Sequence, residues 1–190
     1  MSHSGPNHIT LKAGLAYAVL SIGAIISLGR LDAPVKFFHS ANKAGMLAGA
    51  EPLQSLGLGL LLGGVLALAG EALTRRTAWG RTLSRILRAL FGDPHLFDII
   101  LLALLSSLGE ELLFRGILLP YLGLFGSSLL FGLAHLVPRG RLMLWSVWAT
   151  AVGFSLGWLA VFSGGLLAPI AAHFTVNAIG LMSLKKVRAP

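Results

Sequence analysis

The sequence predicts an all-α protein, a polytopic transmembrane helical bundle of about six spans. Hydrophobic residues make up 55% of the 190 residues, and mean hydropathy is +0.81. Charged residues make up only 12%. A soluble domain carries about 25%, so this chain has too little charge to cover a solvated surface. At roughly 20 apolar residues per crossing, its length allows about six crossings with short loops. One membrane domain, residues 1–190, is expected, with no separate soluble module.

The segments follow in order. Met1 to Lys12 is polar, and the run Ala13 to Gly29 is too long for a signal-peptide core. The following RLDAPV offers no clean small-x-small cleavage site, so the first span is taken as uncleaved, about Ile9 to Gly29. Arg30 to Glu51 is semi-polar, and its KFFHSANKAGML part suits the membrane surface. The second span is about Leu53 to Leu73, and the most basic region, a connecting loop from Thr74 to Leu90, comes next. Span three runs from Leu96 to about Leu119, with a turn marked by Pro120 and Gly123. Span four is Leu124 to Val137, and Pro138 to Arg141 form a loop. Span five is Leu142 to Phe162, Ser163–Gly165 is a tight turn, and span six is Leu166 to Leu184.

Loop charge assigns sides. Arg75 to Arg88, Arg139 with Arg141, and the Lys185, Lys186, Arg188 tail belong in the cytoplasm; the uncharged Ser163–Gly165 turn belongs outside. Six spans then place both termini in the cytoplasm. The first loop is in tension with this, since it carries Arg30, Lys36 and Lys43 against Asp32 and Glu51. The net charge of +8 lies between apolar runs rather than on a face with aromatics, which argues against nucleic acid as a partner. The absence of cysteine excludes disulfides, thiolate metal sites and a cysteine nucleophile. Gly59–Gly63 and Gly153–Gly157 have GxxxG spacing, which is read as close packing within the bundle.

Ionisable groups inside a span cost at least about 2.5 kcal/mol each at mid-bilayer. They must therefore face a partner or a cavity. Glu71 and Asp98 sit near span ends and reach the interface. Glu110, Glu111, Arg115, His135, His173 and the amide of Asn177 do not. Glu111 and Arg115 are four apart and should pair. Glu110 is about 140° round the helix from Arg115 and lacks that partner. Phe131 and His135 share one helical face, as do His173 and Asn177. If spans three and four turn near Leu122–Gly123, Glu110 and His135 both lie about 18 Å below that turn. If spans five and six turn near Gly164, His173 lies about 13 Å and Asn177 about 19 Å below theirs. One polar layer results, somewhat nearer the cytoplasmic face.

Such a layer has a chemistry. A carboxylate and an imidazole can take a proton from water. A second, neutral imidazole and a carboxamide on one face can donate to a developing oxyanion. Hydrolysis of an amide bond fits this set. Ser106 and Ser107 lie near Glu110, but neither neighbours a histidine in sequence, which makes a serine mechanism less attractive. Glu110, His135 and His173 could instead hold zinc with one open position, but HExxH is lacking, so the metal-free reading is favoured.

GEELLFRG, FGLAH and HFTVN resemble the three motifs EExxxR, FxxxH and HxxxN of the CAAX protease and bacteriocin-processing family (Abi). All three are intact and in order, between Leu96 and Leu184, about half the chain. The resemblance implies a catalytic core at 96–184 and a glutamic-type intramembrane endopeptidase. By resemblance, Glu110 and His135 activate water and His173 with Asn177 forms the oxyanion site. Glu111, Arg115 and Phe131 support them. It implies a membrane-associated protein or peptide substrate, and older metalloprotease labels in the family keep zinc as an alternative. The composition looks bacterial, which points to the inner membrane, argues against a prenylated substrate and favours a C-terminal sorting signal of the myxosortase kind. A non-catalytic immunity or peptide-binding protein is the other reading. A transporter would instead need a polar path through both faces.

Overall fold

The computed structural model describes residues 8–30 and 51–186. Among them the chain is helical with no strand. The elements are α1 (His8–Arg30), α2 (Pro52–Arg76), α3 (Ala78–Phe91), α4 (Leu96–Glu111), a π-helical segment (Leu112–Leu118), α5 (Leu119–Ala134), a single 3-10 turn (Gly140–Leu142), α6 (Met143–Ser163) and α7 (Leu167–Leu184). The expected surface segment KFFHSANKAGML, the charges of the first loop other than Arg30 and Glu51, and Arg188 lie outside the described residues.

The molecule is apolar outside and polar within. Leu53, Val19, Leu68, Phe97 and Phe125 are exposed, whereas Glu111, Arg115, Ser107, Ser127 and Ser128 are buried. Only a hydrocarbon solvent favours that inversion, and the chain is an integral membrane protein. Four helical runs are long and apolar enough to cross a bilayer: 52–76, 96–134, 140–163 and 167–184. The 39-residue run doubles back at Gly123 into a long leg and a shorter return leg, and with the apolar stretch 12–28 of α1 the described residues hold six apolar legs.

The reversal at Gly123 is set by its backbone, φ +67° and ψ 179°, the left-handed side of conformational space that glycine adopts without strain. A straight helix would separate Glu110 and His135 by about 38 Å. Their side chains instead approach to 3.7 Å. The return leg is short. From Gly123 to Ala134 it covers about 17 Å, and His135 ends it at φ −96°, ψ 12°. The helix stops three residues before the expected Val137, because Pro138 lacks the N–H that would continue it. The second-motif histidine thus caps a half-length helix inside the bundle.

One expectation is corrected outright. The basic stretch read as a loop, Thr74–Leu90, is mostly helix α3. Thr77 accepts from Gly80 N at its start, and Gly92 at φ +66° ends it. Leu83 is buried while Arg81 and Arg85 are exposed, so α3 has the two faces of an interfacial helix.

Both GxxxG pairs pack within the bundle. A β-carbon on Gly59 or Gly63 would lie 2.4 Å from Ala168 O or 2.6 Å from Ala172 O, so these glycines let α2 and α7 touch backbone to backbone. Gly157 makes room for a side chain instead: a β-carbon there would lie 2.6 Å from Leu124 Cδ1 of α5. Asp98, the outlier at a span end, accepts from His95 N and caps α4. Glu71 pairs with Arg75 at 2.7 Å.

Candidate active site

The π-helical segment organises the first motif. It opens directly after Glu111, and its last bond runs from Leu119 N to Phe114 O, five residues back. Such a wide turn inserts one residue relative to α-helix and re-aims the side chains around it. Regular 3.6-residue periodicity could not reveal it. Arg115 lies within the turn, 1% exposed. Its Nη1 donates to Glu111 Oε1 at 2.8 Å and its Nη2 to Gly153 O at 2.8 Å. The second bond needs α6 close by, and Gly153 permits this: a β-carbon there would press on Phe131 at 3.0 Å. The expected Glu111–Arg115 pair is therefore present, and it is anchored to a third helix.

Phe131 is the hub of the aromatic packing. Its ring lies 4.6 Å beneath the Arg115 guanidinium, 4.6 Å from the His135 ring and 5.7 Å from the His173 ring, measured to centroids. Phe114 adds an edge contact at 5.1 Å. One rigid ring thus sets the relative placement of three polar side chains from the three motifs, and the face over which Arg115 sits is attractive to cations.

Two hydrogen bonds determine which ring nitrogen of each histidine carries a proton. His135 Nδ1 is 2.8 Å from Phe131 O. A carbonyl only accepts, so Nδ1 donates, and the Nε2 of a neutral ring is left with a lone pair. That Nε2 lies 3.7 Å from Glu110 Oε2. His173 Nδ1 is 2.7 Å from Glu111 Oε1, the same oxygen that accepts from Arg115. This Nδ1 also donates, and His173 Nε2 faces Glu110 Oε2 at 3.9 Å. With Nδ1–H on Glu111, a neutral His173 ring presents the Nε2 lone pair, and a ring with both protons presents a donor.

Glu110 and Asn177 occupy the open side. Glu110 Oε2 is buried without a hydrogen-bond partner among the described residues. Tyr17 of α1 comes up to the Glu110 carboxylate. Asn177 Nδ2 donates to Ser106 Oγ at 2.9 Å, leaving its second N–H uncommitted. Ser106 stands one turn before Glu110 and in turn donates to Ala103 O. Neither Ser106 nor Ser107 contacts a histidine among the described residues; Ser106 is the partner of Asn177. Tyr17 and this role of Ser106 were not foreseen. The available signal was a single tyrosine within the first apolar run.

The fit to zinc can be tested on the donor atoms. Around a tetrahedral ion with bonds near 2.0–2.1 Å, donors lie about 3.3 Å apart. The carboxylate oxygen of Glu110 is 3.7 and 3.9 Å from the two imidazole nitrogens, and no group of three such donors among the described residues is arranged to hold a metal. The two separations exceed the tetrahedral spacing by about 0.4 and 0.6 Å.

The site opens into a cavity of about 880 Å³. Tyr17, Ser106, Glu110, His135 and Asn177 line its inner end, Trp145 and Trp148 its wall. Arg75, Arg81, Arg85 and Lys186 reach it from the ends of α2, α3 and α7. A buried carboxylate between two oriented imidazoles, beside a carboxamide and open to a pocket, can bind a water, accept its protons and hold a peptide carbonyl nearby.

Fold and site together define a polytopic membrane protein with a polar centre enclosed by its helices. Residues 92–179 match the model of the family described as Rce1-like, type II CAAX prenyl endopeptidase Rce1-like, and over that segment the chain is similar to it. The chain is also 35% identical over 92 residues to the uncharacterized protein YpbD of Bacillus subtilis (strain 168). That match covers 48% of each, so the chain spans about half the length of this curated relative. No solved structure matches the chain. The matched segment contains all three motifs.

Proposed function

We propose that the chain is an intramembrane endopeptidase that hydrolyses a peptide bond near the membrane end of a protein substrate with a water activated by Glu110 and His135. The observation that carries this reading is the 3.7 Å approach of Glu110 Oε2 to His135 Nε2 beside the cavity. A water about 2.8 Å from both atoms spans that gap at an angle of about 83°. It donates one hydrogen to the carboxylate and one to the imidazole lone pair, which leaves an oxygen lone pair to attack. As the oxygen bonds to the scissile carbonyl carbon, a proton passes to the Glu110–His135 pair. His173 Nε2–H and the free N–H of Asn177 hold the oxyanion. The abstracted proton is then delivered to the departing nitrogen, the C–N bond breaks, and a carboxylic acid and an amine leave. General-base activation contributes about 10²–10⁴ in rate, and one oxyanion donor about 10²–10³.

In this reading Glu111 and Arg115 position His173, no metal takes part, and the enzyme sits in a bacterial inner membrane with both termini in the cytoplasm. The substrate class proposed is a membrane-anchored protein cut at a C-terminal sorting signal, as myxosortases do. The zinc reading draws on one observation: both Nε2 atoms point at Glu110, the presentation a metal would require. Removal and re-addition of zinc decides between the two. The function is tested by mass spectrometry of membrane-protein C-termini in cells carrying the wild-type chain, Glu110→Gln or neither. New C-termini that appear only with the wild type support it; identical profiles contradict it.

A further inference from the structure

Four cations reach the cavity, and one carboxylate there answers them. Glu71 is taken by Arg75 at 2.7 Å. Arg81 Nη1 donates to Arg75 O at 2.8 Å, and Arg85 Nε to Arg81 O at 3.4 Å. These bonds to carbonyls fix the guanidinium groups without neutralising them. Arg81, Arg85 and Lys186 are exposed and have no acidic partner among the described residues. The mouth therefore carries about three uncompensated positive charges on the wall of a pocket whose other end is Glu110. Field lines are focused in such a cleft, and an anion is drawn to it.

Depth supplies the register. Asn177, at the inner end, precedes Lys186 by nine residues, about 13 Å along α7. An extended peptide covers that distance in about four residues. Trp145 and Trp148 line the same cavity, the Trp145 ring 6.2 Å from that of His135.

Resting on the proteolytic reading above, we infer that the substrate carries one or more carboxylates about four residues from the scissile bond, on the side that leaves the membrane through this mouth, and that Arg81, Arg85 and Lys186 bind them. The carboxylate is that of Asp or Glu side chains or of a free chain end. The mouth thus selects acidic juxtamembrane segments over basic ones, a choice independent of the apolar part of the substrate.

The test separates binding from cleavage. The full chain carrying Glu110→Gln is placed in phosphatidylcholine nanodiscs. The probes are synthetic peptides with an 18-residue Leu/Ala stretch followed by a four-residue acidic or basic segment, each made with a free and an amidated C-terminus. The acidic peptide is expected to bind at least about tenfold more tightly than the basic one. The preference should shrink as salt rises from 50 to 500 mM, because exposed charges are screened. Arg81→Glu/Arg85→Glu should reverse the order, and Lys186→Glu, on another helix, should weaken it in the same direction. If amidation abolishes the preference, the chain end is the group bound; if it does not, the side chains are. Equal binding of acidic and basic peptides, or an unchanged preference in both variants, overturns the inference. Cleavage by wild-type protein without regard to charge would overturn it while leaving the protease intact. Acidic-selective binding without cleavage would do the reverse.

Discussion

His173 stands between the two adjacent glutamates of the first motif, and Glu111 holds it: Nδ1 lies 2.7 Å from Glu111 Oε1 while Nε2 turns to Glu110. Adjacent residues on an α-helix point about 100° apart. Here they address the two nitrogens of one imidazole, and the division of labour between them follows. Glu111 Oε1 is shared by Arg115 and His173 and its side chain does not line the cavity, whereas Glu110 lines it with an Oε2 that has no hydrogen-bond partner among the described residues.

Glu111→Gln should therefore lower turnover by about 10² or more while leaving substrate affinity nearly unchanged, since Glu111 does not line the cavity. The amide oxygen can still accept from Nδ1, but the charged hydrogen bond that holds the ring is replaced by a weaker neutral one. Nitrogen-15 NMR of labelled histidine should show protons on both His173 nitrogens in the wild type and on one in the variant. A single protonated nitrogen in the wild type would contradict the oxyanion assignment.

Arg115→Ala should damage the fold. It leaves Glu111 as a buried charge without its cation and frees Gly153 O, a loss of about 3–5 kcal/mol for breaking one partner of a buried pair. Replacing both members by apolar residues, Glu111→Leu with Arg115→Met, should restore much of the thermal stability in detergent but no activity. Wild-type stability in Arg115→Ala would show that the pair is dispensable.

Activity should persist in chelator. Loss of activity with removal of about one bound zinc per chain, and recovery on re-addition, would favour the Glu110–His135–His173 metal site instead.

Cysteine labelling tests the sidedness, and the backbone dictates where. Gly140 and Gly164 adopt φ +51° and +67°, where a side chain adds strain. Their neighbours Arg139 and Ser163 are better positions, and the native chain has no cysteine. Arg139→Cys should be protected in intact cells from an impermeant thiol reagent, and Ser163→Cys should react. The opposite pattern would invert the proposed topology.

Much of this architecture was legible because polar residues are so costly in hydrocarbon. A handful of ionisable groups in apolar runs could only face inward, and helical rise from two glycine turns brought Glu110, His135, His173 and Asn177 to one depth. In the structure Glu110 Oε2 lies within 4 Å of an imidazole nitrogen of His135 and of His173, with Asn177 one turn beyond His173. The π-helical turn was hidden because periodicity assumes a constant 3.6 residues. The helix α3 was hidden because its arginines were read as charge rather than as one face of a period. Phe131 was placed on the face of His135, but its contact with Arg115 crosses between segments that no spacing rule relates.

The most direct test concerns Glu110, the buried carboxylate that lines the pocket and whose Oε2 has no hydrogen-bond partner among the described residues. Purified chain in proteoliposomes, with a peptide spanning a cleavage site found in cells, should cut it in the presence of chelator. Glu110→Gln keeps the size and removes the base, so the rate should fall by about 10²–10⁴ with melting temperature within a few degrees of wild type. Cleavage by Glu110→Gln at the wild-type rate would contradict the account.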